Sequence, residues 1–514
     1  MTADVTDPRT GELVGRLRTD LAGFTVDAVN DLLGPVAQAA LGREQTLPAR
    51  IVVSQHPDEP LAALVAVFLL GLEVPAARLA PAVPTIGLAG LAELGLIATA
   101  GNDPGDPVRA LLDLRPYSTV DALGPADWWL ISDFSEVATG HPLNEDHVLG
   151  VGGASLTLAR CTIRRPTGRV LDLGTGCGIQ ALHAARHAQH VIGTDISARA
   201  LHLARINWAL NSGTVPGAVL EGRPGSLLEP VAGELFDLVV SNPPFVITPR
   251  SVPAATFEYR DGGMVGDDLV RHLIESVGTV LAPGGVAQFL GNWEGRRDEG
   301  WTDRVSSWLE TSGLDGWVVQ REWQDPAEYA ETWIRDSGQH LGKDADDLYA
   351  AWLSDFASRG VDGVGFGLIT LRRPESGEPR LRVVEERRSG PGLPWGDEVI
   401  STLERQDWLA AHDDDALLAA MLKVAPDVTE ERHHLPGAED PSVILLRQGG
   451  GAGRVVQAGT ALAGFVGACS GDIPVGRLIA ALASLLEVDG QALSTELLSD
   501  ARNLVRDGLL EPTV

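Results

Sequence analysis

VLDLGTGCG, residues 170–178, carries a buried-looking apolar run into glycines at positions 174, 176 and 178. Leu and Val ahead of the glycines suit the inside of a sheet. GIQALHAARHA, which follows, has apolar residues at helical spacing. Glycines between a strand and a helix let the backbone turn sharply and let a ligand approach where a Cβ would stand. The spacing is D-x-G-x-G-x-G, not the G-x-G-x-x-G of dinucleotide sites. The stretch therefore predicts a strand, a ligand-permissive turn and a helix.

Reading outward, the same alternation repeats. HVIGTDI (190–196) reads as the next strand and ends at Asp195, then ARALHLARINWALN is helical. AVLEG and FDLVVS read as further strands, DDLVRHLIESVGTVLA as a helix, GGVAQFLGNW as a strand, DRVSSWLETSG as a helix, and GWVVQREW and VGFGLITLRR as strands. Strands and helices alternating at this spacing predict an α/β fold with a parallel-rich sheet and helices on both faces. In such a sheet, ligands bind beyond the carboxyl ends of the strands. There Asp195 can accept hydrogen bonds from both hydroxyls of a ribose, while Ser197 is the better N-cap for the next helix. Ser226, in Gly225-Ser226-Leu227-Leu228 after AVLEG, lies where an adenine edge could be reached. FDLVVS runs into Asn242-Pro243-Pro244-Phe245. Neither proline can donate to a sheet, and each restricts the residue before it. Asn242 thus stands at the mouth of a rigid corner on the same sheet edge.

Asp172–Gly178, Asp195 and Asn242–Phe245, in this order, resemble the class I S-adenosylmethionine-dependent methyltransferases. The [NDS]-P-P-[FYW] corner resembles that of members that methylate planar nitrogens: adenine N6, guanine N2 and glutamine N5. FEYRDGGMVGDDLVRHLI (257–274) is similar to a stretch of release-factor glutamine N5-methyltransferases. Two features differ from those enzymes: Phe245 stands where they usually carry Tyr, and Tyr259 follows Glu258 where they carry Pro. The resemblance covers roughly residues 140–295. It implies a Rossmann-like sheet and S-adenosyl-L-methionine as cofactor, with no metal. It assigns cofactor contacts to Asp172, Gly174, Thr175, Gly176, Gly178, Asp195, Ile196, Ser226, Leu227 and Asn242. It assigns the acceptor nitrogen to Asn242, Pro243, Pro244 and Phe245. Asn242 Oδ1 and the Pro243 carbonyl would each accept an N–H, and the Phe245 ring would offer a stacking face. The region of His141 and His147 would shape the methionine end of the cofactor site or be a plain loop. Glu258 and Arg260 would touch substrate or form a loop salt bridge. Cys177 reads as a small filler.

The rest of the chain frames this centre. Its 514 residues exceed one core. Residues 1–120 read as a helical, winged-helix-like recognition domain, 121–375 as the methyltransferase domain, 376–394 as a charged connector, and 395–514 as a second helical, winged-helix-like domain. QGGGAGR (448–454) lacks the G-K-[ST] of a phosphate loop and reads as a turn. Asp413–Asp415 read as a helix start, and Trp128 and Trp129 as packing between domains. Only two basic residues are lysines, Lys343 and Lys423, which points to a GC-rich bacterial genome. A net charge of −30 argues against broad docking on nucleic acid, where phosphate contacts supply much of the affinity. The preferred acceptor is therefore a protein of the release-factor kind, with RNA or a small-molecule amine as alternatives. A non-catalytic scaffold is the remaining rival. The polar first residues do not resemble a signal peptide, and the longest apolar stretches read as buried helix, so the expected location is cytoplasmic.

Overall fold

The computed structural model describes residues 7–101, 103–135, 143–144, 146–215, 217–250, 260–336, 345–375, 377–387 and 395–513. They fall into two compact units. One holds residues up to 159 and 164–386, the other 160–163 and 387–514.

The first unit is built on an eight-stranded sheet. Its strands are β1 (Thr167–Leu173), β2 (Ala188–Asp195), β3 (Val219–Pro224), β4 (Phe236–Ser241), β5 (Leu281–Arg296), β6 (Asp315–Gln324), β7 (Val361–Arg372) and β8 (Arg382–Glu386). Their order across the sheet is β8-β6-β7-β5-β4-β1-β2-β3. Strands β3, β2, β1, β4 and β5 run parallel, and β7 runs antiparallel to both β5 and β6. The parallel-rich sheet expected from the alternation is present, with the Rossmann-like winding that the resemblance implies. From β1 the chain winds to β2 and β3 on one side and to β4 and β5 on the other. That reversal opens a crevice at the carboxyl ends of β1 and β4.

Register then decides what meets there. Leu173 pairs with Ser241, Leu173 with Thr194, and Asp195 with Pro224. Gly174, Asn242, Asp195 and Gly225 therefore all lie at the ends of paired strands on one edge. Strand β4 stops at Ser241 because the next residues bring two prolines that cannot continue the ladder. Helix α1 (Ile179–Ala185) is buried along its whole length. Helix α2 (Ala198–Asn211) starts at Ser197, whose Oγ accepts the Ala200 N–H, as its cap assignment predicts.

Helix α3 (Asp268–Ser276) and helix α4 (Trp301–Ser312) flank β5 and pack their apolar faces into the main core with Phe236, Phe289 and Trp293. Two further helices, α5 (Pro326–Asp336) and α6 (Ala345–Ser358), interrupt the β6–β7 connection. The sequence reading assigned nothing to that interval.

Residues 8–93 are mainly helical, and the short strands Val74–Pro75, Ile97–Thr99 and Pro107–Ala110 form a three-stranded sheet beside them. A hairpin of Asp113–Asp121 and Gly124–Ser132 follows and lies on α2. Asn207 bonds both the N–H and the carbonyl of Ile131 at 2.8 and 2.9 Å, and Asn211 does the same for Trp129 at 3.0 and 2.8 Å. Two carboxamides one helical turn apart thus continue the hairpin's hydrogen bonding as a neighbouring strand would. Trp128 is fully buried and Trp129 Nε1 bonds the Phe24 carbonyl, so both indoles tie the hairpin to its surroundings.

Two local expectations need correction. The stretch 376–394 is not a plain connector, because Arg382–Glu386 pairs parallel with Gly316–Gln320 as an edge strand. Its alternating charges hid it, yet charges are what an exposed edge tolerates. In the second unit, read as helical, the apolar spacing of residues 415–425 (DALLAAMLKVA) suits one helix, but the stretch does not form one. Helix Asp414–Ala419 ends and strand Met421–Val424 begins, held between Ser470–Pro474 and Leu510–Pro512. Strands Val428–His433, Val443–Gln448 and Val455–Ala458 form a second small sheet. Sheet pairing overrode the helical periodicity of a short apolar run. QGGGAGR is the turn between the last two of these strands, and Asp413 caps its helix through the Ala416 N–H. No helix among the described residues is long and apolar enough to cross a membrane.

Candidate active site

At the carboxyl edge the strand ends surround one cavity of about 220 Å³. Gly174, Thr175, Gly176, Asp195, Ile196, Ser226, Leu227, Asn242, Pro243 and Pro244 line it. Gly174 and Gly176 have φ of 71° and 55°, in the left-handed region, and a Cβ added to either would meet no atom within 4 Å. The turn therefore leaves open space where a ligand can lie against backbone.

Three expected site residues do not line this cavity. Asp172 is buried beneath the turn. Its Oδ2 accepts the Thr175 hydroxyl at 2.6 Å and the Ala181 N–H at 2.9 Å, so it builds the loop from below. Burial pushes its carboxyl up to about 7. Gly178 serves packing: a Cβ there would stand 2.5 Å from Trp208 Nε1, whose N–H bonds the Gly178 carbonyl. Phe245 bonds its N–H to the Pro243 carbonyl and bridges to Asp261, which sends its ring to Trp333, 6.5 Å away and edge-on. The expected stacking face is thus turned toward protein, not toward the cavity.

Asp195 is well placed to receive hydroxyls. Its Oδ2 accepts the Gly176 N–H and its Oδ1 the Ser197 N–H, both at 2.9 Å, which fixes the carboxylate at the cavity wall. Leu227 holds φ of 47°, a costly conformation for a leucine, in the adjoining loop of the cavity wall, where the Gly225 N–H bonds the Asp195 carbonyl. Asn242 supplies the sharpest signal. Its Oδ1 is buried and has no hydrogen-bond partner among the described residues. A buried amide oxygen without a donor costs about 1–3 kcal/mol, so at a cavity wall it favours a ligand or water that brings one.

Other residues join the wall that sequence alone did not single out: Ser155, Gln180, Asp261, Met264 and Leu269. Asp261 is held by the Arg250 guanidinium fork at 3.0 and 2.6 Å and by the Gly263 N–H. It lies in the RDGG stretch, but no spacing rule gives the direction of its side chain. His147 lines the cavity and is buried. Desolvation holds its imidazole below the usual value despite Asp133, whose carboxylate is forked by Arg199 at 2.5 and 2.6 Å. Arg260 is outside the cavity, bonded to the Trp333 carbonyl and 3.5 Å from the Asp336 carboxylate. His141 and Glu258 lie outside the described residues. Cys177 is buried, and desolvation pushes its thiol up to about 11, unlike a nucleophile. Among the described residues, no group of three or more His, Cys, Asp or Glu could hold a metal ion.

The open glycine turn, the fixed carboxylate of Asp195 and the orphaned Asn242 oxygen suit a nucleoside-bearing cofactor beside a nitrogen acceptor. Comparison with known proteins agrees. Residues 150–294 match the methyltransferase small domain, and residues 21–111 and 401–512 match two domains of unknown function, DUF7059 and DUF7782. The chain is 34% identical over 129 residues to the ribosomal RNA small subunit methyltransferase C of Alcanivorax borkumensis, a span of 25% of this chain and 33% of that protein. The chain thus spans about a third of the length of that relative. It is 30% identical over 296 residues to the release factor glutamine methyltransferase of Bradyrhizobium diazoefficiens, 55% of this chain and 84% of that protein. A methyltransferase structure from Pyrococcus furiosus is similar at 15% identity with a TM-score of 0.26, covering 43% of this chain and 81% of that one. By sequence, the chain belongs to the family of class I S-adenosylmethionine-dependent methyltransferases that includes the release factor glutamine methyltransferases.

Proposed function

We propose that this protein methylates a planar amide or amine nitrogen, and that its acceptor is a protein glutamine side chain. The observation that carries the reading is Asn242 Oδ1, buried without a donor among the described residues, at the cavity that also holds the glycine turn and Asp195. S-adenosylmethionine, when bound, supplies an electrophilic methyl group. The Gly174–Gly176 backbone and the Asp195 carboxylate hold the nucleoside part. The Asn242 oxygen accepts an N–H from the acceptor. So does the second lone pair of the Pro243 carbonyl, whose first is taken by Phe245 N at 2.8 Å. Both bonds strengthen as the nitrogen donates its lone pair to the methyl carbon and gains positive charge, because its N–H groups then grow more acidic, so they favour the transition state over the resting amide. Holding the nitrogen in one place supplies the rest. No strong base is demanded, since the proton can leave after transfer.

The acidic balance of the chain supports a protein acceptor over a nucleic acid. Phosphate recognition calls for a basic footprint, and net charge here is −30. In this reading residues 1–120 and 395–514 recognise the acceptor, and the reaction takes place in the cytoplasm. Labelled S-adenosylmethionine, incubated with the protein and a lysate of the source organism, tests it. Label should survive RNase and run with a protein. Label lost to RNase would replace glutamine with a nucleobase, and label in a small solute would replace it with a metabolite amine.

Asp195→Ala tests the cofactor half. Losing a carboxylate that bonds hydroxyls should weaken S-adenosylmethionine binding by about 10- to 100-fold, the worth of one or two charge-assisted hydrogen bonds. Calorimetric titration reads it. An unchanged Kd would move the ribose elsewhere.

A further inference from the structure

The helices α5 and α6, inserted between β6 and β7, build a small second core with the residues that leave the Asn242 corner. Val246, Ile247, Tyr329, Ala330, Ile334, Trp352 and Phe356 are all buried in it, and Phe245 and Trp333 pack at its border. Among these apolar contacts stands one polar tie. The Tyr329 hydroxyl accepts the Ile247 N–H at 2.9 Å and the Asn292 Nδ2–H at 2.7 Å. A phenol oxygen has two lone pairs, so it can take both at once.

The sheet register shows why this tie matters to the corner. Phe289 on β5 pairs with Ser241, the residue before Asn242. Asn292 lies three residues farther along β5, beyond the point where β4 has ended, and pairs only with Phe366 of β7. Tyr329 stacks on that Phe366, with centroids 5.5 Å apart. One hydroxyl therefore joins the end of the sheet, through Asn292, to the chain leaving the corner, through Ile247. Asn242 lies in the chain between Ser241, paired to β5, and Ile247, held by that hydroxyl. Its Oδ1 has no hydrogen-bond partner among the described residues. Asn292 is fully buried, and its Oδ1 also lacks a partner among the described residues. Burial raises the phenol far above its ordinary value, so it stays neutral.

We infer that Tyr329 is a positioning residue for methyl transfer: through Ile247 and Asn292 it sets where the Asn242-Pro243-Pro244 corner presents its acceptor oxygens. The inference rests on the reading of that corner as the acceptor site. The inserted helices are then the element that adapts a common catalytic corner to this protein's own acceptor.

Tyr329→Phe keeps the ring in the core and removes only the hydroxyl. It should lower kcat by about 10- to 100-fold, the range expected when a reacting group is displaced by an ångström or less. The Kd for S-adenosylmethionine and the KM for the acceptor should stay within about twofold, since binding groups are untouched. Asn292→Ala, which spares the aromatic core, should lower kcat in the same way. The double variant should do little more than either alone, since the two act through one tie. A kcat unchanged in Tyr329→Phe overturns the inference, and so does a loss that appears equally in cofactor binding. Should the wild type bind cofactor yet transfer no methyl to any acceptor, the proposed reaction fails. The tie is then read on the Ile247 amide, whose hydrogen exchange should be at least about tenfold faster in Tyr329→Phe. Unchanged exchange there overturns the inference as well.

Discussion

Asn242→Ala should reduce kcat by about 100- to 1,000-fold and leave the S-adenosylmethionine Kd within about twofold, as removal of one preorganised polar partner does elsewhere. The size follows from what the side chain contributes. Its oxygen is already desolvated and lacks a donor among the described residues, so no reorganisation precedes its bond to the acceptor N–H. Alanine removes that bond at the stage where it is strongest. The fold should hold, because the corner is set by Pro243 and Pro244, and Ser241 bonds the Leu173 carbonyl at 2.7 Å. The remaining contacts to cofactor stand on β1, β2 and β3. Asn242→Asp keeps an acceptor oxygen and should be less damaging than alanine. Single-turnover rates with saturating cofactor separate the step from product release. A rate within threefold of wild type for the alanine variant would remove Asn242 from the chemistry and would return the scaffold reading to the front.

Much of this site could be read before any fold was known, and the reason is geometric. Gly174, Asp195, Ser226 and Asn242 each follow an apolar run that ends in a breaker or a turn, and parallel strands bring such ends to one edge. A motif names residues but not directions. Asp172 belongs to the same glycine signature as Gly174, yet alternation along β1 sends it under the loop. Phe245 belongs to the corner, yet its ring packs edge-on with Trp333 of the inserted helix α5. The inserted helices were illegible for another reason. Their start does carry a signal, since Asp325 accepts the N–H groups of Ala327 and Glu328 just ahead of Pro326. What the sequence lacks is any sign that this amphipathic stretch closes over the corner, a contact across 82 residues from Ile247 to Tyr329. The strands of the second unit failed similarly, because short apolar runs take their form from partners far away in the chain.

Raising the pH from 5 to 8 should destabilise the wild-type protein relative to Asp172→Asn by up to about 3 kcal/mol, the part of the Asp172 effect that falls between pH 5 and 7. Burial moves the Asp172 carboxyl from 3.8 to about 7, against two hydrogen bonds that favour its ionised form. The unfolded chain releases this proton near the ordinary carboxylate value. Between the two, the folded protein binds more protons than the unfolded one, so stability falls as pH rises across that window and is level above it. A gap of about 3 pK units corresponds to about 4 kcal/mol, an upper figure for one group. Other groups push the other way. His187, which burial lowers to about 4, makes the folded state gain stability as pH rises through the histidine range. The absolute pH curve therefore mixes signs, and the difference between wild type and Asp172→Asn isolates the carboxyl. Asparagine cannot ionise, and its side-chain oxygen can still accept the Thr175 hydroxyl and the Ala181 N–H. Urea midpoints for both proteins at pH 5, 6, 7 and 8 should diverge between pH 5 and 7, with the variant gaining on the wild type, and run nearly level from 7 to 8. Parallel curves would mean that Asp172 is already ionised at pH 5 in the folded state. The glycine turn would then stand on a charge rather than on a neutral acid, and its two hydrogen bonds would be the dominant force at that position.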